Sequence, residues 1–206
     1  MKKILIVMLI SFSVLYAAGN AFAIPLITNG GFETGDLTAW TANNVIVQSN
    51  NVYSGNYAAG LSLGGFFNPW NASLRQPFTV DTNKYSDMTI SFAYDVDTIF
   101  TLGRLDKFTV DVVKPGTNWK ENLITINSPP GTDGWQTFSR TYDLTDKSGV
   151  YNLRFDIFLK DQERLGTWTN AFLDDVSIDA TPVPEPSGLS LLGLGLLGFG
   201  LRRRKK

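Results

Sequence analysis

Apolar and polar residues alternate with a period of two along five segments in the middle of the chain, residues 88–94, 108–112, 135–142, 150–158 and 172–178. This alternation is typical of β-strands with one buried face, and no long segment has the 3.6-residue period of a helix. Four shorter segments, 45–48, 57–63, 74–80 and 123–126, fit the same pattern, and turns rich in Gly, Pro and Asn separate them. The sequence therefore predicts an all-β fold of nine or ten strands, a β-sandwich or jelly roll.

The 206 residues include neither Cys nor His. This excludes disulfides, thiol nucleophiles, His-based acid–base catalysis and the thiolate or imidazole ligands that zinc and copper prefer. Any bound metal must then be held by oxygen, which indicates calcium or magnesium. The net charge of −1 argues against nucleic acid as a partner.

The first 23 residues have the three parts of a secretory signal peptide. Two lysines are followed by an apolar run from Ile4 to Leu15 and by an A-x-A site at 21–23. We predict cleavage after Ala23. The alternative is an N-terminal membrane anchor, for which the apolar run is short.

The last residues form a second targeting segment. Pro184, Glu185 and Pro186 precede an uncharged apolar segment, 188–201, and a basic cluster, 202–206. Basic residues stay on the cytoplasmic side of a membrane, so we expect a short C-terminal membrane helix with the rest of the chain exported. The alternative is a plain C-terminal anchor.

The order of motif, apolar segment and basic cluster resembles the PEP-CTERM sorting signal of exopolysaccharide-producing Gram-negative bacteria. The resemblance implies recognition by an exosortase-type processing enzyme and cleavage near Pro184, Glu185 and Pro186. It also implies anchoring in the inner membrane before processing, followed by release or transfer to the cell surface or extracellular matrix.

Three parts of the chain are predicted: a signal peptide (1–23), a β-sandwich domain (24–180), and a linker with the sorting signal (181–206). Seven basic residues and Glu185 lie in the two terminal segments, which leaves eleven basic and eighteen acidic residues at 24–184. The exported part therefore has a net charge of −7, which suits solubility and cation binding through oxygen.

Motifs at the two ends of the predicted domain are more specific. It opens with Asn29-Gly30-Gly31-Phe32-Glu33 and Trp40, and it closes with Leu173-Asp174-Asp175-Val176. With the intervening 53–59 and 74–78, these motifs resemble the galactose-binding-like jelly roll of several carbohydrate-binding-module families. The resemblance implies that the first and last strands are neighbours, so that Glu33 lies beside Asp174.

A structural calcium ion follows from that resemblance. Its ligands would be the carboxylates of Glu33 and Asp174, with carbonyl oxygens of Gly31 and of the Ser54–Gly55 turn. From period two, Asp174 should share an inward face with Phe172, Val176 and Ile178. A carboxylate at a partly buried position needs a partner, which is either a cation or a backbone or Arg hydrogen bond.

Five Trp residues could present aromatic faces to sugars. We expect Trp40 and Trp135 to pack in the core, whereas Trp70, Trp119 and Trp168 lie in or beside loops, where function concentrates. These last three are the candidate carbohydrate-binding residues.

Catalysis has weak support. Glycoside hydrolysis needs two carboxylates at a fixed separation, and Asp95 and Asp97 are more simply explained as a solvated turn. The sequence favours a non-catalytic exported protein of the cell surface or matrix, associated with polysaccharide. The alternatives are a purely structural or adhesive matrix component without a sugar site and a carbohydrate-active enzyme.

Overall fold

A computed structural model describes residues 22–64, 71–99, 106–128, 131–158 and 168–183. Nearly all of them belong to one compact unit, Ala23–Thr181. Of a second unit, Met1–Phe22 with Pro182–Lys206, only Phe22, Pro182 and Val183 are described. The predicted signal peptide before Phe22 and the predicted segments at 184–206 therefore lie outside the described residues.

Strands make up all the regular structure of the described ranges. In chain order they are β1 (Ile24–Pro25), β2 (Thr41–Asn43), β3 (Val45–Gln48), β4 (Ala58–Gly64), β5 (Asn71–Val80), β6 (Tyr85–Ile99), β7 (Asp106–Val113), β8 (Lys120–Ser128), β9 (Gln136–Asp143), β10 (Gly149–Phe158) and β11 (Trp168–Pro182). In the described part of the chain, no helix is long and apolar enough to cross a membrane.

The strands form two antiparallel sheets. The six-stranded sheet has the order β3-β4-β11-β6-β9, with β1 paired to β11, and the five-stranded sheet has the order β2-β5-β10-β7-β8. The pairing of Ile24 with Ala180 makes the first and last strands neighbours. The all-β sandwich predicted from period-two alternation is therefore confirmed.

The core lies between the sheets. On β10, Tyr151, Leu153, Phe155 and Ile157 are buried, while the residues between them are less buried or exposed. Phe155 meets Phe92 of the opposite sheet edge-to-face, with ring centroids 5.3 Å apart. Each fully buried Phe or Leu contributes roughly 1.5–3 kcal/mol, so the inward faces of the strands stabilise the sandwich.

All nine segments predicted as strands are strands. The two that were missed, β1 and β2, have only two and three residues, and all five are exposed. Such short strands have no alternation to detect, because neither face is buried.

Candidate functional sites: a carboxylate-held turn and an exposed tryptophan

Asp174 is fully buried near the middle of β11, and its carboxylate binds the backbone of a turn at Tyr53 and Ser54 that is distant in sequence. Its Oδ2 accepts hydrogen bonds from the N–H groups of Tyr53 (3.1 Å) and Ser54 (3.0 Å). Its Oδ1 accepts one from the N–H of Asp175 at 2.8 Å. Burial raises the pKa of the Asp174 carboxyl, although the backbone donors act in the opposite direction. A charged Asp174 therefore depends on these donors for its solvation.

Glu33 binds the other end of the same turn. Its Oε1 accepts the N–H groups of Asn56 (2.9 Å) and Tyr57 (3.0 Å), and its Oε2 accepts the Asn56 side-chain amide at 3.2 Å. The backbone donors of Asn56 and Tyr57 lower the pKa of this carboxyl, because they stabilise its charged form. Between these contacts lies Gly55, with φ +65°, where a Cβ would overlap the Glu33 carboxylate.

Gly31 lies between the two carboxylates. A Cβ added to it would be 3.8 Å from Glu33 Cγ, 4.0 Å from Asp174 Oδ1 and 3.6 Å from Asp175 Oδ1. The backbone there is held by two bonds that tie the N-terminal segment to β11, Val176 N–H to Gly30 O (3.0 Å) and Leu26 N–H to Ile178 O (2.7 Å). Glu33, Gly31 and Asp174 are thus brought to one turn.

The predicted inward face of β11 is confirmed for Asp174, Val176 and Ile178, and it is wrong for Phe172. Ala171 and Leu173 face the core and Phe172 does not, whereas farther along Val176 and Ile178 face it. The switch in parity occurs at Asp175, which has a left-handed φ of +47°. This irregularity turns Asp174 inward and Asp175 toward solvent, where its Oδ1 accepts the Ser54 hydroxyl at 2.8 Å.

Each of the two carboxylates has some acceptor capacity left. A carboxylate has about four acceptor positions, and each of these two accepts three hydrogen bonds. Among the described residues no three acidic side chains form a metal-binding group. A hard cation here would therefore also need backbone carbonyl oxygens, which are common calcium ligands.

Trp119 is exposed over 43% of its surface at the end of the turn between β7 and β8. Its backbone N–H donates to the Thr117 hydroxyl (3.1 Å), and its backbone carbonyl accepts the Lys114 N–H (3.2 Å). The indole meets Tyr151 edge-to-face, with centroids 5.4 Å apart. The ring is therefore presented to solvent and held in place by the fold.

The other Trp residues have different surroundings. Trp40 is buried against Phe32 and donates its indole N–H to Asn29 O at 2.9 Å, as expected for a packing residue. Trp135 was expected in the core, but it is half-buried against Tyr53 and donates to Asn51 Oδ1 at 2.8 Å. Trp70 lies outside the described residues, as does the side chain of Trp168, whose backbone begins β11.

Two buried carboxylates, Asp95 and Asp111, are engaged in structural contacts. Asp95 is buried, not solvated as predicted, and it accepts bonds from Thr132 Oγ1 (2.8 Å) and Asn51 Nδ2 (2.9 Å). Asp111, on the outer side of the five-stranded sheet, is ion-paired to Lys120 at 2.7 Å and to Arg154 at 3.6 Å. The sequence did not indicate this cluster of Asp111, Lys120 and Arg154, because its members lie on three strands.

Comparison with known proteins gives a motif and a fold. Residues 182–205 match the PEP-CTERM protein-sorting motif, and no curated protein matches the chain. The CBM22-1 xylan-binding domain of Paenibacillus barcinonensis Xyn10C is 16% identical, with a TM-score of 0.51 over 80% of this chain and 99% of that domain. Both the sorting motif and the carbohydrate-binding-module-like jelly roll are therefore confirmed.

Two further solved structures have lower TM-scores. A family 16 carbohydrate-binding module is 17% identical, with a TM-score of 0.48 over 74% of this chain and 98% of that module. The enzymatically active domain of tailspike protein 4 from bacteriophage CBA120 is 11% identical, with a TM-score of 0.49. That match covers 78% of this chain, which spans only 22% of the tailspike chain.

Proposed function

We propose that this chain is a non-catalytic, exported protein of the cell surface or extracellular matrix that associates with polysaccharide and is sorted by an exosortase-type enzyme. The observation that carries the proposal is the junction at Pro182. There the last strand of the sandwich ends and the PEP-CTERM motif begins. A folded domain with the architecture of carbohydrate-binding modules thus leads directly into a sorting signal.

The sorting motif implies processing by an exosortase and export of the residues before it. In our proposal the apolar segment 188–201 holds the precursor in the inner membrane of a Gram-negative bacterium, and the basic cluster 202–206 stays in the cytoplasm. After cleavage near Pro184, Glu185 and Pro186, the sandwich reaches the surface or matrix. Mass spectrometry of the secreted form tests the cleavage site.

Exposure of Trp119 favours sugar binding over a purely structural role. An exposed, fixed indole is a flat apolar surface, and burying it against a partner gives a large gain for little loss of side-chain freedom. The ion-paired Asp111 and the hydrogen-bonded Asp95 support a non-catalytic role, because each has a structural partner. Trp70 and Trp168 remain candidate binding residues.

Replacement of Trp119 is expected to weaken polysaccharide binding. In affinity electrophoresis of the full chain in mild detergent, Trp119→Ala should reduce retention by about tenfold or more, as for aromatic anchors at interfaces. Trp119→Phe keeps an aromatic face and should retain part of the binding. Equal retention of Trp119→Ala and wild type on every polysaccharide that binds would contradict a role for this residue.

We also propose a structural calcium ion held by Glu33, Asp174 and the carbonyl of Gly31. Two carboxylates with acceptor capacity to spare bind the two ends of the same turn, and one of them is buried with only N–H groups as hydrogen-bond partners. Bound calcium would supply positive charge to these carboxylates and would connect the start of the domain to β11. It has no chemical step to perform in this proposal.

Removal of calcium should lower the melting temperature. A ligand at 100 times its Kd stabilises the folded state by about 2.7 kcal/mol, so a chelator should lower Tm by roughly 5 °C or more. Added Ca²⁺ should restore Tm, and Glu33→Gln, which keeps the side-chain shape, should remove most of this response. Identical thermal scans in calcium and in chelator would rule the ion out.

A further inference from the structure

Two arginines are neighbours on the outer side of the five-stranded sheet. Arg75 of β5 and Arg154 of β10 are directly opposite in the antiparallel register, so their side chains leave the same face of the sheet with Cβ atoms about 5 Å apart. Like charges placed directly opposite destabilise a sheet, and each of them needs a counter-charge.

Arg154 has protein partners, whereas the Arg75 side chain has none among the described residues. Arg154 is ion-paired to Asp156 at 2.5 Å and to Asp111 at 3.6 Å. Asp111 is also paired to Lys120 at 2.7 Å, so both carboxylates near Arg154 are already in use. The exposed guanidinium of Arg75 therefore keeps its hydrogen-bond donors available for an anion from outside the chain.

The outer face of this sheet is positive although the domain is acidic. Its charged strand residues are four basic and two acidic ones, Arg75, Lys107, Lys120, Arg154, Asp111 and Asp156. The face thus has a charge of +2, while residues 24–184 have a net charge of −7. Salt screens charges over about 8 Å at physiological ionic strength, and five strands about 4.8 Å apart are wider than that. A ligand that lies on the face is therefore exposed mainly to its positive charge.

The uncharged side chains around Arg75 are polar. Thr41 of β2 is directly opposite Arg75, and Asn43 is opposite Ser73 in the adjacent row of the same face. Hydroxyl and amide groups bond well to sugar hydroxyls, and a guanidinium binds a carboxylate through two parallel hydrogen bonds. Both kinds of contact are thus available side by side at Arg75.

We propose that this face binds an acidic polysaccharide, with a carboxylate of the polymer on Arg75 and sugar hydroxyls on Thr41 and Ser73. The inference rests on the proposed polysaccharide association and adds to it the charge class of the polymer. A bound carboxylate would give Arg75 the counter-charge that Asp111 and Asp156 give Arg154. A neutral polymer would leave Arg75 unpaired.

The test uses two immobilised probes that differ only in charge, polygalacturonate and its methyl ester. The full chain in mild detergent is loaded at low salt and eluted with a NaCl gradient. A chelator is present throughout, because calcium could otherwise bridge the polymer to acidic side chains. We expect salt-sensitive retention on polygalacturonate and at least about tenfold weaker binding to the ester, the range that one charge-assisted contact supports.

Arg75→Gln should weaken binding to polygalacturonate about tenfold. It should not lower Tm, because it removes a like charge opposite Arg154, whereas loss of a residue that only supported the fold would lower Tm. The matched control Arg140→Gln makes the same change of charge on the other sheet, where Arg140 is paired to Glu121 at 3.4 Å. This control should elute with wild type.

Three results would each overturn the inference: equal binding of the acid and the ester, elution of Arg75→Gln with wild type, or an equal effect of Arg140→Gln. Tighter binding to immobilised double-stranded DNA than to polygalacturonate would also overturn it, by assigning the face to another class of polyanion. Retention by neutral polysaccharides alone would keep the proposed function and reject this inference. The proposed function fails separately, if no polysaccharide, acidic or neutral, retains the protein in affinity electrophoresis.

Discussion

Gly30→Ala should destabilise the sandwich strongly, and far more than Gly31→Ala. A Cβ at this position would overlap the carbonyl oxygen of Val176 in β11, which is backbone and has no rotamer to change. The N-terminal segment would have to move away from β11, and the bond from Val176 N–H to Gly30 O would break. We expect a loss of at least about 3 kcal/mol in the free energy of unfolding, measured by urea denaturation.

Gly31→Ala is the matched control, because it adds the same methyl group to the next residue. The nearest atom to its Cβ is Asp175 Oδ1 at 3.6 Å, an ordinary contact, so the change should stay within about 1 kcal/mol. If the two variants unfold at the same urea concentration, the close approach of the N-terminal segment to β11 is wrong.

Period-two alternation was enough to predict the sandwich because most strands bury one face. β10 shows this clearly, since Tyr151, Leu153, Phe155 and Ile157 all face the core. The rule fails where backbone geometry changes the parity of a strand. Asp175, at φ +47°, reverses it in the middle of β11, and Asp, which tolerates this conformation better than most residues, was the only local sign.

The sites were harder to predict, because their residues come from separate strands. Convergence of Glu33 and Asp174 on one turn was expected only through a family resemblance. The binding of Asp174 to backbone N–H groups was one of two alternatives, and that of Glu33 was not anticipated. The surroundings of Tyr142 could not be predicted at all. Its inward position follows from alternation in β9, but the groups around its hydroxyl depend on which side chains the opposite sheet places there.

Replacement of Asp174 should have the second large effect. Three backbone N–H groups, those of Tyr53, Ser54 and Asp175, lose their acceptor in Asp174→Ala, and the turn at 53–54 loses its two backbone hydrogen bonds to β11. An unpaired buried donor costs about 1–3 kcal/mol, so we expect a total loss on the order of 3–5 kcal/mol. Urea denaturation in the presence of chelator measures this term without any contribution from a bound cation.

Asp174→Asn and Asp175→Asn make the same chemical change at adjacent residues, one buried and one exposed. Comparing them separates the effect of burial from the effect of replacing Asp by Asn. Asn at 174 keeps one oxygen for Tyr53 and Ser54 but presents an amide to the N–H of Asp175, so its loss should fall between wild type and Asp174→Ala. Asn at 175 is exposed, tolerates the left-handed conformation and can still accept the Ser54 hydroxyl, so we expect a change below about 0.5 kcal/mol. Equal losses at the two positions would show that Asp174 is not the buried acceptor of this turn. A large loss at 174 alone would show that the carboxylate stabilises the domain through the backbone, with or without calcium.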